Sequence, residues 1–247
     1  MLRPTPLYIV ASPNPKVGKT LLARLLIEFA QSSGRRVLGY DLQSRKTALA
    51  ERFPKFVEPV DISETRGQMQ VFDRLLIDRT TTKIIDLGSG PFDQFFSVME
   101  KTDFVRAARQ ELIEPIVFFV TDAEVETAHA YANLRARLGT ATLVPVHNEA
   151  ASATIAAEDF RASGIDCSPI YIPLLSHLVR RVIDRATFSF ARYIKETDGT
   201  SELHQWVAPI VTRFRELELQ MFANRLSLFL NLGSANERLY FDEKGRI

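Results

Sequence analysis

Pro13-Asn14-Pro15-Lys16-Val17-Gly18-Lys19-Thr20 follows the apolar run Leu7-Tyr8-Ile9-Val10-Ala11 and precedes a helical pattern. A strand that delivers a tight loop into a helix turns successive amide hydrogens toward one point, where the helix N-terminus adds partial positive charge. Gly18, Lys19 and Thr20 supply the second half of the phosphate-binding pattern G-x-x-x-x-G-K-[ST], in which the Lys ammonium meets the outer phosphates and the hydroxyl meets a metal ion. Pro13 occupies the place of the first Gly, and Pro15 stiffens the loop further. The candidate cradle comprises Asn14, Pro15, Lys16, Val17, Gly18, Lys19, Thr20 and Leu21, with Lys19 the candidate catalytic cation and Thr20 a candidate metal ligand.

Working outward, Leu21, Leu22, Leu25, Leu26 and Phe29 recur at helical spacing, and Gly34 is placed to stop that helix. Arg36-Val37-Leu38-Gly39-Tyr40 reads as a buried strand ending on Asp41-Leu42-Gln43, and Phe56-Val57-Glu58-Pro59-Val60 as a short one. Met69, Val71, Phe72, Leu75 and Leu76 mark a helix before the strand Lys83-Ile84-Ile85-Asp86. Further strands are expected at 115–120, at 142–146 with His147-Asn148 at its end, and at 170–173, with a helix over 123–138 between the first two. Helical sequence then continues, with breaks, to about Leu230. Alternating strands and helices predict an α/β fold: a mainly parallel twisted sheet with helices on both faces, in one domain of 247 residues whose segment 200–247 is helical and ends in a tail.

The formal net charge of +1 excludes a protein that works by global attraction to nucleic acid, and partner class must come from local sites. Cys167 is the only cysteine, which excludes an intrachain disulfide and a Cys-rich metal site and suits a reducing compartment, with packing its expected role. Met1-Leu2-Arg3-Pro4-Thr5-Pro6 enters the first strand without the apolar stretch of a signal peptide, and no apolar run reaches membrane-spanning length, so a cytoplasmic location is expected. The four histidines are too far apart for a local zinc motif, and no G-x-S-x-G elbow is present.

Nucleotide turnover needs a metal organised by a second acid and a group that orients water. Asp86 closes a strand before the small residues Gly88-Ser89-Gly90, so it reads either as a metal-binding acid or as a cap for the next helix. Gly88 is the candidate backbone donor to a terminal phosphate. Asp41, at another strand end, could hold a metal-bound water or only terminate the strand in a turn, and Asn148 could contact a purine edge or form an Asx turn.

This order of motifs resembles the ParA/MinD family of P-loop ATPases over about the first 185 residues. The family loop reads K-G-G-V-G-K-[ST], and Val17-Gly18-Lys19-Thr20 is similar to its second half; the loop is a deviant Walker A. The resemblance implies ATP and Mg2+ as ligands, with Lys19 on the β- and γ-phosphates, Thr20 and the Walker B residue Asp86 at the metal, Asn148 on adenine, and Pro173, in Ile172-Pro173-Leu174, over the base. Asp41 and Gln43 stand at the two acids of the family's D-x-D, so Gln43 replaces the acid that positions water, and Asn14 stands where a further lysine reaches across a dimer. Weak or partner-stimulated hydrolysis by a switch protein is the implied activity, with a homodimer in question and a protein partner expected. The setting resembles plasmid partition, conjugal transfer of the TraL and StbB kind, or intracellular positioning. The loop is also similar to that of dethiobiotin synthetase, an ATP-dependent ligase, although Asp41-Leu42-Gln43 stands in place of the lysine which that enzyme carries after its second strand. A degenerate loop serving as an interaction module is the third reading, on Pro13, Pro15 and Gln43.

Arg180, Arg181 and Arg185 form a cationic run that could contact DNA nonspecifically or simply be solvated. The segment 206–230 mixes Ile210, Val211, Phe214, Leu217 and Met221 with Arg213, Glu216 and Glu218. Its acids dilute the basic face that a membrane-surface helix wants, which favours packing against the sheet or a partner helix. Residues after Gly233 read as a polar tail.

Overall fold

The computed structural model describes residues 4–43, 47–151 and 168–243, with side chains through residue 223. Cys167 lies outside them. Strand β1 (Thr5–Ala11) enters the loop of residues 12–18, which opens α1 (Lys19–Ser32). There follow β2 (Val37–Leu42), α2 (Ala48–Arg52), β3 (Val57–Pro59), α3 (Thr65–Leu76), β4 (Thr82–Leu87), α4 (Phe92–Lys101), α5 (Phe104–Gln110), β5 (Ile113–Thr121) and α6 (Val125–Leu138). After β6 (Thr142–Asn148) and β7 (Ile170–Ile172) come α7 (His177–Ile183), α8 (Phe190–Glu196) and α9 (Glu202–Glu243).

The described strands form one seven-stranded sheet in the order β3-β2-β4-β1-β5-β6-β7, every pairing parallel. The sheet is thus parallel throughout. The central strands are buried along their length, so they read as continuous apolar runs and not as alternating ones. Alternation still decides which helix each residue meets. Leu7, Ile9, Ala11, Tyr40, Leu42, Ile85, Leu87, Val117 and Phe119 share a core with Phe72, Phe95, Phe96 and Phe104 of α3–α5 and with Tyr131 and Leu134 of α6. Tyr8, Val10, Asp41 and Asp86 have the opposite parity, toward the face against which α1 packs on β1, β2 and β4.

Three helices go beyond the sequence reading: α2, α4 and α5. Phe92, Phe95, Phe96 and Met99 of α4 recur at helical spacing and are all buried, but they follow a Gly-Ser-Gly-Pro segment that masks the start of the periodicity. The chain divides into two compact units, Met1–Val211 and Thr212–Ile247. Helix α9 contributes the second unit, and its backbone stays helical through Gly233 to Glu243, where a tail was expected. One Gly inside a helix costs about 1 kcal/mol, which does not outweigh the helix formers on either side of it.

Candidate functional site

The site lies at the carboxyl ends of the central strands, where an open α/β sheet places its ligands. Gly18 is the residue before α1 and adopts φ 102°, and no side chain caps the helix, whose first turn also lacks an acid. The first amides of α1, from Lys19, Thr20 and Leu21, have no partner within the helix and converge with the helix dipole where an anion would sit. Gly18 is required twice over. Its φ is one that other residues rarely adopt, and a Cβ there would lie 2.3 Å from Asn148 Nδ2.

Lys19 is buried, 6% exposed, and its ammonium donates to the carbonyls of Asn14 (2.5 Å) and Ser12 (3.3 Å). Burial pulls its pKa down to about 8, against the attraction of Asp86 and Asp122. Thr20 Oγ1 donates to Asp86 Oδ2 at 2.7 Å. Gln43 Nε2 donates both to that carboxylate oxygen, at 2.8 Å, and to Thr20 Oγ1, at 3.0 Å. Asp86 is fully buried, and its Oδ1 has no hydrogen-bond partner among the described residues. Burial pushes its carboxyl up to about 6; the Asp41 carboxylate adds to the rise, and hydrogen bonds from Thr20 and Gln43 and the charge of Lys19 oppose it. A buried carboxylate with one free oxygen beside a hydroxyl is costly by itself. The pair fits a hard divalent cation, which takes carboxylate and hydroxyl oxygens and keeps several waters.

No protein-family model matches this chain, and no curated protein matches it. Among solved structures, the cell division protein MinD of Aquifex aeolicus is similar over 86% of this chain and 97% of its own, at 14% identity and a TM-score of 0.50. The MinC:MinD complex of the same organism gives 0.50 at 14% identity, covering 86% of this chain and 96% of its own. A nucleotide-binding protein of Archaeoglobus fulgidus solved with ADP covers 70% of this chain and 84% of its own, at 16% identity and a TM-score of 0.46. The fold is similar to that of MinD.

In this fold the remaining candidate residues take definite places. Asn14 does not project from the loop: its side chain donates to Asp122 Oδ2 (2.7 Å) and Thr127 Oγ1 (3.0 Å), tying the loop to the end of β5 and the start of α6. Asp122 in turn accepts from Thr127 Oγ1 and the Glu124 amide. Asp122 and Thr127 were missed in the sequence, although Asp122 stands just past a strand end, as Asp41 and Asp86 stand at theirs. Pro15 and Lys16 are exposed, Lys16 with φ 62°, and Val17 is buried under Asn148, whose Nδ2 donates to the Val17 carbonyl at 2.9 Å. Asn148 Oδ1 accepts from the Ala150 amide, so the Asx turn expected as one alternative forms while the same side chain supports the loop.

Asp41 Oδ2 accepts from the amides of Leu49 (3.0 Å) and Ala50 (3.2 Å), which caps α2. Burial raises its pKa, and those amide bonds oppose the rise. Gly88 has its amide on the Leu42 carbonyl at 3.3 Å, and a Cβ there would lie 2.9 Å from the same oxygen, so β4 runs into its loop pressed against the end of β2. Pro173 is exposed, with its carbonyl accepting from Trp206 Nε1 at 2.6 Å. Arg180 and Arg181 of α7 and Arg185 beyond it are exposed, with the acid Asp184 among them. Beside Gln43 a cleft of about 510 Å³ opens between the ends of β2 and β3 and the start of α4, with Asp61, Ser63 and Gln94 in its wall. No described helix is long and apolar enough to cross a membrane.

Proposed function

We propose that this chain is an ATP-binding switch protein of the ParA/MinD kind, with low basal hydrolysis and its output through a protein partner. The observation that carries the reading is the hydrogen bond from Thr20 to Asp86, at the head of a loop whose lysine is buried and whose helix amides lack a cap. Gly18, Lys19, Thr20 and Leu21 would hold the phosphates, and Thr20 and Asp86 the Mg2+, which supplies charge neutralisation on the phosphate oxygens when bound.

The low turnover follows from what the water-orienting candidates do. Asp41 Oδ2 accepts from the amides at the start of α2, with Oδ1 unpartnered among the described residues, and Gln43 gives its amide to Asp86 and Thr20. Asn14, where the resemblance places a further lysine, is turned inward to Asp122. The MinD structure solved with MinC pairs a similar fold with a protein, and we carry that mode of output to this chain. The process served, whether DNA partition, conjugal transfer or intracellular positioning, then depends on that partner.

Calorimetry with ATP and Mg2+ tests the reading. Wild type is expected to bind and Lys19→Ala to lose binding; absence of binding by wild type, or binding indifferent to Lys19→Ala, refutes it. The cleft beside Gln43 favours one second reading, a ligase of the dethiobiotin type with a small-molecule acceptor next to the outer phosphate. Steady ATP turnover without any partner protein, on addition of a small carboxylic acid or amine, would select it.

A further inference from the structure

We infer that Gln43 is a positioning residue whose side-chain amide occupies the cation's place between Asp86 and Thr20 and must leave when Mg2+ enters; the inference rests on the metal assignment proposed above. A primary amide presents a positively polarised N–H edge, and Gln43 Nε2 sets that edge against the two implied metal ligands, 2.8 Å from Asp86 Oδ2 and 3.0 Å from Thr20 Oγ1. Those are contacts a small cation would make with the same atoms, about a third shorter. The amide and the cation compete for the Thr20 lone pair, so the two states exclude one another.

The competition has a physical reason. Asp86 is fully buried with Oδ1 unpartnered, and without a counter-charge its carboxylate would be among the most costly groups in the chain. The Gln43 amide and the Thr20 hydroxyl both donate to its other oxygen, Oδ2. An acid at position 43 could not do this, because a second carboxylate would face the first at hydrogen-bond distance. Replacing the acid of the D-x-D arrangement by Gln therefore exchanges a water-orienting group for a latch.

Release of the latch reaches the surface. Gln43 follows β2 and lines the cleft of about 510 Å³, as do Ser63 and Gln94, which are joined by a hydrogen bond from Gln94 Nε2 to the Ser63 carbonyl. When the amide leaves Asp86, it moves toward that cleft, and the wall a partner would read changes with metal occupancy. Linkage makes the coupling reciprocal: whatever holds Gln43 on Asp86 weakens Mg2+ binding.

The test is the Mg2+ concentration that half-saturates the metal-dependent part of ATP affinity, titrated by calorimetry in wild type, Gln43→Ala and Gln43→Asn, with ATP affinity in chelator as the reference. Both variants remove the contact, and we expect the half-saturating Mg2+ to fall about tenfold while affinity in chelator stays the same. A second readout is the Gln43 side-chain amide signal in 15N spectra, assigned by its loss in Gln43→Ala. It is expected to move on adding Mg2+ to the ATP complex and to stay in place with ATP in chelator. An unchanged or raised Mg2+ requirement, or a signal indifferent to Mg2+, overturns the latch while leaving nucleotide binding intact. Loss of ATP binding in wild type itself would instead overturn the assignment on which the latch rests, and the latch with it.

Discussion

Asp41 and Asp86 are partners across the β2–β4 ladder, yet their carboxylates serve different helices. Asp41 accepts two amides at the start of α2, and Asp86 accepts the Thr20 hydroxyl at the start of α1. Parallel in-register pairing puts the two acids side by side, and the strand parity turns both toward the α1 face. The chain then separates their roles by giving one a pair of amides and the other a hydroxyl and a side-chain amide.

Removal of the Asp41 cap should therefore destabilise the fold without touching the metal. Asp41→Ala is expected to cost about 1–2 kcal/mol, read as a fall of several degrees in the calorimetric Tm, with the Mg2+ requirement for ATP binding unchanged. Asp41→Asn, which keeps an acceptor, should lose less. An Asp41→Ala protein of native Tm that no longer binds Mg2+ and ATP would move Asp41 into the metal site.

The Asp86 carboxyl, pushed up to about 6 by burial, gives the ligand-free protein a defined pH dependence. An acid whose folded pKa is raised contributes stability below its unfolded value, near 4, and that contribution is lost as pH rises through about 6. Relative to Asp86→Asn, wild type should thus lose Tm between about pH 4 and pH 6 and stay lower above it. Paired thermal melts across that window, without nucleotide, check the sign; parallel curves for the two proteins would contradict it.

A Cβ at Gly18 would lie 2.3 Å from Asn148 Nδ2, so the Asn148 side chain would have to give up its place on the Val17 carbonyl. Gly18→Ala is expected to cost about 2 kcal/mol or more, from the positive φ and the clash together, and to abolish ATP binding. Adding Asn148→Ala removes the clash and leaves the φ strain, so Tm should recover only in part. Full recovery in the double variant would show that the backbone at Gly18 is not strained.

The hydrogen bond from Asn14 to Asp122 locks the loop from within. A double-mutant cycle with Asn14→Ala and Asp122→Ala should give a coupling of about 0.5–3 kcal/mol in unfolding free energy. Additive losses would mean that the two residues act separately.

Much of this site was legible because its signals are local. The Gly18-Lys19-Thr20 sequence, the strand before it and the periodicity after it all lie within one short stretch, and the acids Asp41 and Asp86 sit where apolar runs end. The latch, by contrast, joins Gln43 to residues 23 and 43 positions away in the chain, and no spacing rule connects them. Asn14 reads in sequence as a replaced lysine; its bond to Asp122, 108 residues on, is what makes it an anchor.

What the amino-acid sequence by itself determined is the alternation of strands with helices and the loop that joins the first strand to the first helix, because hydrophobic period and loop chemistry are properties of neighbouring residues. Only the tertiary structure decided which acid caps a helix and where the Gln43 amide goes. Those outcomes depend on sheet order: with β4 between β2 and β1, Asp86 stands beside both Asp41 and the strand that delivers the loop, and short-range hydrogen bonds then select partners that chain distance could not foretell.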